Sequence, residues 1–464
     1  MSYRVVKFGG SNLKTKNDTK RIVDIVKKYN QPLIIVVSAY YGITDNLIVF
    51  IKDSNKTKDD RNNFIHEIKD FYFNIIDDNI LDKQISQKVK HEIKIRLRKF
   101  SNCLRKINRK ANSYQSNYDE ILSYGEKFTS LILTNVLSSN GIACKENLPE
   151  KFGLITDGKF SNASVNYSLS EISMNNKFSR NISYVVPGFY GISANKQITL
   201  LGRGGSDYSA SAIAACVNAE SLDVWKDVEG FLSADPRLVY NPKNIKQLSF
   251  AEASELAYFG SKILHPRTPE PLITNNIPIR IFNINNENNV LRPRTIINKN
   301  RVITKAVVKS VSSSNDIGFI KLRGPGVGEK SGILAKITAL LDKEDVNIKS
   351  VITSQVTINI LLDKSDTKFV KNALENLKLD GVTNINDFNN YSLIAVVGEG
   401  LSEKFGIAEK IFSAVAKKEI NIEMISFGAS KVAVYFLVER RHKIDALTQI
   451  HYEFFEKENQ PVLV

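Results

Sequence analysis

Three cysteines in 464 residues, Cys103, Cys144 and Cys216, are too few and too far apart for a disulfide framework or a zinc site, and they point to a reducing compartment. No apolar run approaches the ~20 residues of a membrane span, so no membrane partner is expected. Met1 is followed almost at once by the strand-like Tyr3–Phe8, so no signal or transit peptide is expected and the protein should be cytoplasmic. There is no GxxxxGKS/T loop, no GxGxxG after a strand and no HRD or DFG set, which excludes P-loop, dinucleotide-binding and protein-kinase machinery. Only five histidines occur, and His265, before Pro266 and beside an apolar run, reads as packed rather than catalytic. Acidic residues fall short of basic ones, 49 against 64, for a net charge of +15. The lysines are spread along helical faces such as 86–110 without interleaved aromatics, which reads as a solvated basic surface and not a nucleic-acid site.

What is present is ordinary for a globular protein: 42% hydrophobic residues, and a length of about three domains. The chain is organised around Leu200–Tyr208. The apolar run Ile198–Leu201 enters a glycine turn, Gly202-Arg203-Gly204-Gly205, and a small-residue helical run from Tyr208 to Ala219 leaves it. The first amides of such a helix favour an anion. Arg203 adds a planar fork suited to carboxylate or phosphate, and Ser206 and Asp207 stand where they either cap the helix or face a ligand. Residues 3–8 read as a strand, Gly9–Asn12 as a turn and Lys16–Lys28 as a helix, a second such unit with Lys7 placed to neutralise a phosphate. The wholly apolar Pro32–Val37 reads as a buried parallel strand that ends in Ser38–Thr44. These three loops are expected at the ligand-binding edge of one open sheet.

Residues 45–135 read as mostly helical, with Gly125-Glu126 interrupting a helix and hinting at a close approach. Further strands are expected at 182–186, 198–201 and 221–225, a loop at 187–191 and a helix at 250–259. The alternation over residues 1–290 predicts an α/β fold with a mainly parallel sheet covered on both faces. The tail repeats itself: Glu329-Lys330-Ser331-Gly332-Ile333 with Val346-Asn347-Ile348 recurs as Glu403-Lys404-Phe405-Gly406-Ile407 with Ile420-Asn421-Ile422. Each copy reads as a ferredoxin-like βαββαβ unit. The second runs out of chain at Pro461–Val464, and Lys305–Val311 is expected to supply its missing strand, which inserts the first unit into the second.

In chain order the motifs are Lys7–Ser11, Ser38-Ala39 with Gly42-Ile43-Thr44, Gly125-Glu126, Gly188-Phe189, Gly202–Asp207, Trp225 with Asp227, Asp235-Pro236-Arg237, and Phe259–Lys262 with His265-Pro266. With two terminal ACT-type repeats, this ordered set closely resembles the aspartate kinase (aspartokinase) family in its monofunctional form, over nearly the whole chain. The resemblance implies an amino-acid-kinase α/β/α sandwich at 1–295, a first ACT domain at 313–385, and a second built from 303–312 and 386–464. It implies transfer of the ATP γ-phosphoryl group to the β-carboxylate of L-aspartate, giving 4-phospho-L-aspartate, the first step toward lysine, threonine and methionine. Mg²⁺ would ride on the phosphates, with no protein-held metal site.

Carried over by position, Lys7 and Asp207 would be catalytic, Lys7 neutralising charge on the transferring group and Asp207 organising Lys7. Arg203 and Ser206 would hold the aspartate α-carboxylate, Glu126 the α-amino group, and Ser38, Ala39, Thr44 and Phe189 would border the substrate. Gly9, Gly10, Lys226, Asp227, Leu232, Arg237 and Lys262 would hold the nucleotide. Ile333, Leu334, Ile348, Thr353, Ser354 and Gln355 would surround a regulatory amino acid, lysine or threonine, in a homodimer formed through the ACT repeats, with a tetramer as the alternative. The chain departs from the family at Asn12, at the bulky Tyr40 and Tyr41, at Lys226 in place of a common Thr, and at Leu232 in place of a common Tyr. Lys349 stands where lysine-sensitive relatives can carry an acid, which disfavours that form of lysine inhibition. The rival readings are another amino-acid kinase, acting on glutamate, acetylglutamate or a nucleotide, and a non-enzymatic ACT sensor.

Overall fold

The structure, a computed structural model, describes residues 3–53, 55–107, 111–261, 263–286 and 291–457. The chain divides into two compact units. The first runs to Phe231 and takes in Asn244–Ser254 and the stretch that ends at Arg301. The second takes Leu232–Lys243, Glu255–Ser261 and the chain from Val302 onward.

In chain order the strands of the first unit are β1 (Arg4–Phe8), β2 (Ile34–Val37), β3 (Cys144–Glu146), β4 (Ile155–Thr156), β5 (Ser183–Pro187), β6 (Tyr190–Ser193), β7 (Ile198–Leu200), β8 (Ser221–Lys226), β9 (Gln247–Ser249), β10 (Ile279–Asn283) and β11 (Thr295–Asn298). Eight of them form one sheet in the order β3-β5-β2-β1-β8-β10-β11-β9. All its pairings are parallel except β10 with β11. The sheet is therefore the mainly parallel α/β sheet the sequence predicts. The central strand β2 is wholly apolar and buried on both faces, as a parallel sheet under helices requires, and β1 beside it is buried from Val5 to Phe8. Phe8, Trp225 and Phe282 from β1, β8 and β10 stack across it, with ring centroids 6.2 and 4.7 Å apart. The helix Lys16–Lys28 starts at Thr15, whose side chain and that of Asp18 form a capping box.

Three local expectations are corrected. The strand before the glycine turn, β7, is not in the main sheet; it lies in a separate sheet of order β4-β6-β7. The predicted loop 187–191 contains the start of β6, because Phe189 at φ 74° reverses the chain after β5 and lets Tyr190–Ile192 pair antiparallel with β7. Gly125 also does not interrupt its helix: Tyr114–Ser139 is continuous and buried from Ile121 through Thr134. Packing on that scale outweighs the ~1 kcal/mol helical penalty of one glycine.

The second unit holds the two expected ferredoxin-like sheets. β13 (Ile317–Arg323), β14 (Ser350–Thr353), β15 (Thr357–Asp363) and β16 (Asn384–Phe388) are ordered β14-β15-β13-β16. β17 (Tyr391–Val397), β18 (Ile422–Phe427) and β19 (Ala433–Glu439) are joined by the earlier β12 (Ser310–Ser314) in the order β12-β17-β19-β18. Thus β12 occupies the edge that a fourth strand of the copy would fill; Pro461–Val464 lies outside the described residues. Its bounds differ from the expected 305–311, because Thr304–Val308 is a turn with Val307 at φ 63° and pairing begins only at Ser310, opposite Val397. Phe319, Leu361, Leu393, Met424 and Tyr435 join both sheets in one apolar cluster.

Candidate active site

The site is built at the ends of β1, β2 and β8. Lys7 lies on β1 opposite Val224 of β8, and alternation puts Lys226, two residues past Val224, on the same face of the sheet. Over that face the helix Gly205–Cys216 presents Asp207 from its first turn. Lys7 Nζ pairs with Asp207 Oδ1, and Lys226 Nζ sits 3.0 Å from Asp207 Oδ2. Burial alone would raise the Asp207 carboxyl, but the Lys226 and Lys7 ammonium groups hold it well below the usual carboxylate range. Burial pushes the Lys7 ammonium down despite Asp207. A Cβ on Gly9 would lie 3.1 Å from Lys7 Nζ, so that glycine leaves room around the lysine head, while one on Gly10 would lie 3.1 Å from the Ala39 carbonyl and lets that loop approach.

β2 hands over to Ser38 and Ala39, where the Ser38 N–H donates to the Phe8 carbonyl at 3.2 Å. Gly42, at φ 80°, then opens the helix Ile43–Lys52 with Thr44 in its first turn. Tyr40 is no obstacle in this loop: its ring turns into the core, edge-on to Phe71 and Tyr72, while Tyr41 is exposed. Beneath the loop runs the helix Tyr114–Ser139. A Cβ on Gly125 would meet the Ala39 Cβ at 2.9 Å, which is the close approach the sequence hinted at. Glu126 is 2% exposed, its carboxylate accepts from the Ala39 N–H, and its Oε2 is buried with no partner. Burial pushes its pKa up to about 8 against the pull of Ala39 and Lys7. An unpartnered carboxylate oxygen in a protein interior is costly, and a ligand ammonium would satisfy it. Gly125→Ala is expected to push the Ala39 loop aside and raise roughly tenfold the KM for the amino acid that the sequence resemblance implies as substrate, by loss of its fixed geometry, with a smaller change in the KM for the implied nucleotide; steady-state kinetics check this.

The glycine turn closes the site. Gly202 and Gly204 have φ of 77° and 68°, and a Cβ on Gly204 would collide with the His265 ring at 2.5 Å. His265 is thus packed against the turn, and burial lowers its pKa. The helix after Gly204 has no side-chain cap; the Gly205 and Asp207 N–H groups donate to the Gly202 and Gly204 carbonyls at 3.0 Å, and Arg203 is exposed on the turn. Ser206 is buried under Gly188, and Phe189 ties β5 to the turn by donating its N–H to Ser209 and accepting from the Leu201 N–H. The sequence gives no signal for buried Asp119, whose carboxylate accepts from the Leu200 and Ser161 N–H groups and fixes the strand that enters the turn.

Lys7, Asp207, Lys226 and Glu126 with Ala39 are therefore brought together, with Gly9, Gly10, Ser38, Phe189 and Arg203 on the surrounding turns and Thr44 and Ser206 in the first turns of the helices that follow them. Asp227 is exposed, 3.7 Å from Lys14 Nζ. Leu232 and Arg237 belong to the second unit, Arg237 paired with its own neighbour Asp235 at 2.6 Å. Lys262 lies outside the described residues. Among the regulatory candidates, Ile333 is buried at the start of a helix and Ile348 is half-buried. Leu334, Thr353, Ser354 and Gln355 are exposed, and Gln355 donates to Glu329 at 2.9 Å. Lys349 pairs with Asp363 at 3.1 Å.

A mainly parallel sheet, with a glycine turn brought to it from a second small sheet and a buried lysine–aspartate pair between them, is the framework of a phosphate-handling α/β enzyme. The chain belongs to the amino acid kinase family, whose profile matches residues 2–283; an ACT domain profile matches residues 394–454. Within that family it groups with the aspartokinases. It is 27% identical to the bifunctional aspartokinase/homoserine dehydrogenase of Buchnera aphidicola, over 97% of this chain but 56% of that protein. It is 26% identical to the lysine-sensitive aspartokinase 3 of Escherichia coli, over 97% of this chain and 99% of that one. The crystal structure of E. coli aspartokinase III in complex with aspartate and ADP superposes with a TM-score of 0.81 at 24% identity, covering 98% of this chain and 100% of the other, a likeness of fold.

Proposed function

We propose that the protein is an aspartate kinase, transferring the γ-phosphoryl group of ATP to the β-carboxylate of L-aspartate. The observation that carries this reading is the buried Glu126 oxygen without a partner, beside Ala39 and facing the Lys7–Asp207 pair. An amino-acid ammonium satisfies Glu126, Arg203 takes the α-carboxylate, and the side-chain carboxylate is left beside Ser38, Ala39 and Thr44. A carboxylate is a nucleophile at neutral pH, so no general base is required. Its oxygen forms a bond to Pγ as the bond to the β–γ bridging oxygen breaks, and ADP leaves with the electron pair. What two anions need is positioning and charge neutralisation, and Lys7 supplies the latter. Gly9, Gly10, Lys226 and Asp227 are assigned to the nucleotide.

Among the described residues no three His, Cys, Asp or Glu side chains are grouped to hold a metal. The cationic surroundings of Asp207 fit Mg²⁺ only as a complex with the phosphates, where it would neutralise their charge. No helix among the described residues is long and apolar enough to cross a membrane. The domains at 313–385 and at 303–312 with 386–464 would bind a regulatory amino acid, lysine or threonine, in a homodimer. Lys349, already paired with Asp363, gives a lysine side chain no acidic partner at its own position.

The test is acyl phosphate formation trapped with hydroxylamine, with aspartate, glutamate and acetylglutamate offered in turn. Turnover with aspartate alone supports the reading. Equal turnover with another acceptor, or none with any, overturns it. The pH profile supplies a second check. In the free enzyme Glu126 is protonated below about 8, and only its ionised form attracts the ammonium, so kcat/KM for aspartate should rise with pH through that value. Glu126→Gln is expected to flatten this limb and lower kcat/KM roughly 10- to 100-fold, as loss of a charged hydrogen bond implies.

A further inference from the structure

Asp207 carries one negative charge and is flanked by two ammonium groups, Lys7 on Oδ1 and Lys226 on Oδ2. The side chains are 5%, 8% and 17% exposed for Lys7, Asp207 and Lys226, so little water shares the pair. Half-buried His265 faces Asp207 from the segment packed against the glycine turn, with exposed Arg203 beside the His265 ring. On the other side Glu126 faces Lys7, and its raised pKa limits the negative charge it brings. The cluster is thus left with excess positive charge in a poorly hydrated place, an arrangement stabilised when a polyanion enters. Its two cations stand on different strands. Lys7 stands between the Gly9-Gly10 turn, assigned to the nucleotide, and the Ala39 loop, assigned to aspartate. Lys226 is the last residue of β8 and precedes Asp227, the side assigned to the nucleotide.

We propose that Lys226 is a second catalytic ammonium, held ready by Asp207, which neutralises the charge that develops on the ADP leaving group while Lys7 serves the transferring phosphoryl group. The inference rests on the phosphotransfer reading above and goes beyond simple nucleotide binding. As the bond between Pγ and the β–γ bridging oxygen breaks, that oxygen gains a full negative charge and no proton arrives to quench it. An ammonium already anchored to Asp207, on the strand assigned to the nucleotide, requires no reorganisation at the moment of transfer. The sequence departure at this position then has a chemical purpose: a threonine hydroxyl can contact a phosphate but cannot neutralise it.

The test compares wild type with Lys226→Met and Lys226→Arg, in steady-state turnover with aspartate and in calorimetric titration with MgADP. Lys226→Met is expected to lose roughly 100-fold in kcat, the scale of one transition-state charge contact, while the aspartate KM stays within about threefold. MgADP should bind about tenfold more weakly, because the product keeps the charge Lys226 neutralises. Lys226→Arg should retain most of both. Turnover of Lys226→Met within about threefold of wild type, or MgADP affinity unchanged, overturns the proposal. So does an arginine variant as impaired as the methionine one in folded protein, since then charge is not what the position supplies. If Lys226→Met does not fold, the arginine variant decides by the same two readouts. Wild-type protein inert toward aspartate would sink the functional reading instead, and the MgADP titration would still decide Lys226.

Discussion

Lys7→Ala is expected to lower turnover by roughly a thousandfold or more while the protein stays folded, because one preorganised charge is withdrawn from the transferring phosphoryl group. The reason the fold survives is specific to this chain. With Lys7 gone, Asp207 keeps Lys226 at 3.0 Å, so no carboxylate is stranded in the interior. The space vacated lies beside Gly9, in a site that must admit water and ligand, and not within the sheet's apolar core. Steady-state kinetics and a thermal melt together check this. An alanine variant as active as wild type would remove Lys7 from the mechanism.

Asp207→Ala should behave differently, losing turnover and stability together. It leaves two ammonium groups facing each other in a buried place, and breaking buried ion pairs in this one-sided way costs about 3–5 kcal/mol. For a unit of this size that corresponds to a fall in Tm of roughly 5–15 °C. A polyanion should restore part of it, so MgATP is expected to raise the variant's Tm more than it raises that of wild type. The pH dependence has a definite sign. The folded carboxyl of Asp207 lies below its unfolded value, so its stabilisation is present above the unfolded pKa and is lost as pH falls through the folded one. The gap in stability between wild type and variant should therefore be constant near neutrality and begin to close only below about pH 4. A variant that melts with wild type would show that the carboxylate does not hold the two lysines.

Much of this was legible in the chain because the catalytic loops are short and follow directly from strands. Lys7 before two glycines, the Ser38-Ala39 turn after a wholly apolar strand, and Asp207 just past Gly205 are local patterns, and strand alternation projects them toward one edge. Glu126 came only through resemblance; an isolated glutamate in a helix carries no signal of burial, and its meaning depends on Ala39 arriving from elsewhere. Gly125 gave the right hint, a close approach, for the wrong local structure, since the packing that demands the glycine also holds the helix together through it. The pairing of Lys226 with Asp207 could not be read without the β1–β8 register, which places Lys226 on the face of Lys7. Nor could the placement of β7 in a second sheet, which turns on the positive φ of Phe189. The segment from Leu232 to Lys243 folds with the second unit for reasons equally distant in sequence: Ser233 bonds His451, and Ala234 and Val239 join an apolar cluster with Ile411 and Phe454.

In the reaction we propose, the side-chain carboxylate of aspartate attacks the γ-phosphorus of ATP. The most direct measurement uses aspartate labelled with ¹⁸O in its β-carboxylate and follows the acyl phosphate by ³¹P NMR. The account predicts an isotope-shifted phosphorus signal from the bridging oxygen, appearing in step with ADP. An unshifted signal, or ADP formed without any acyl phosphate, would contradict it.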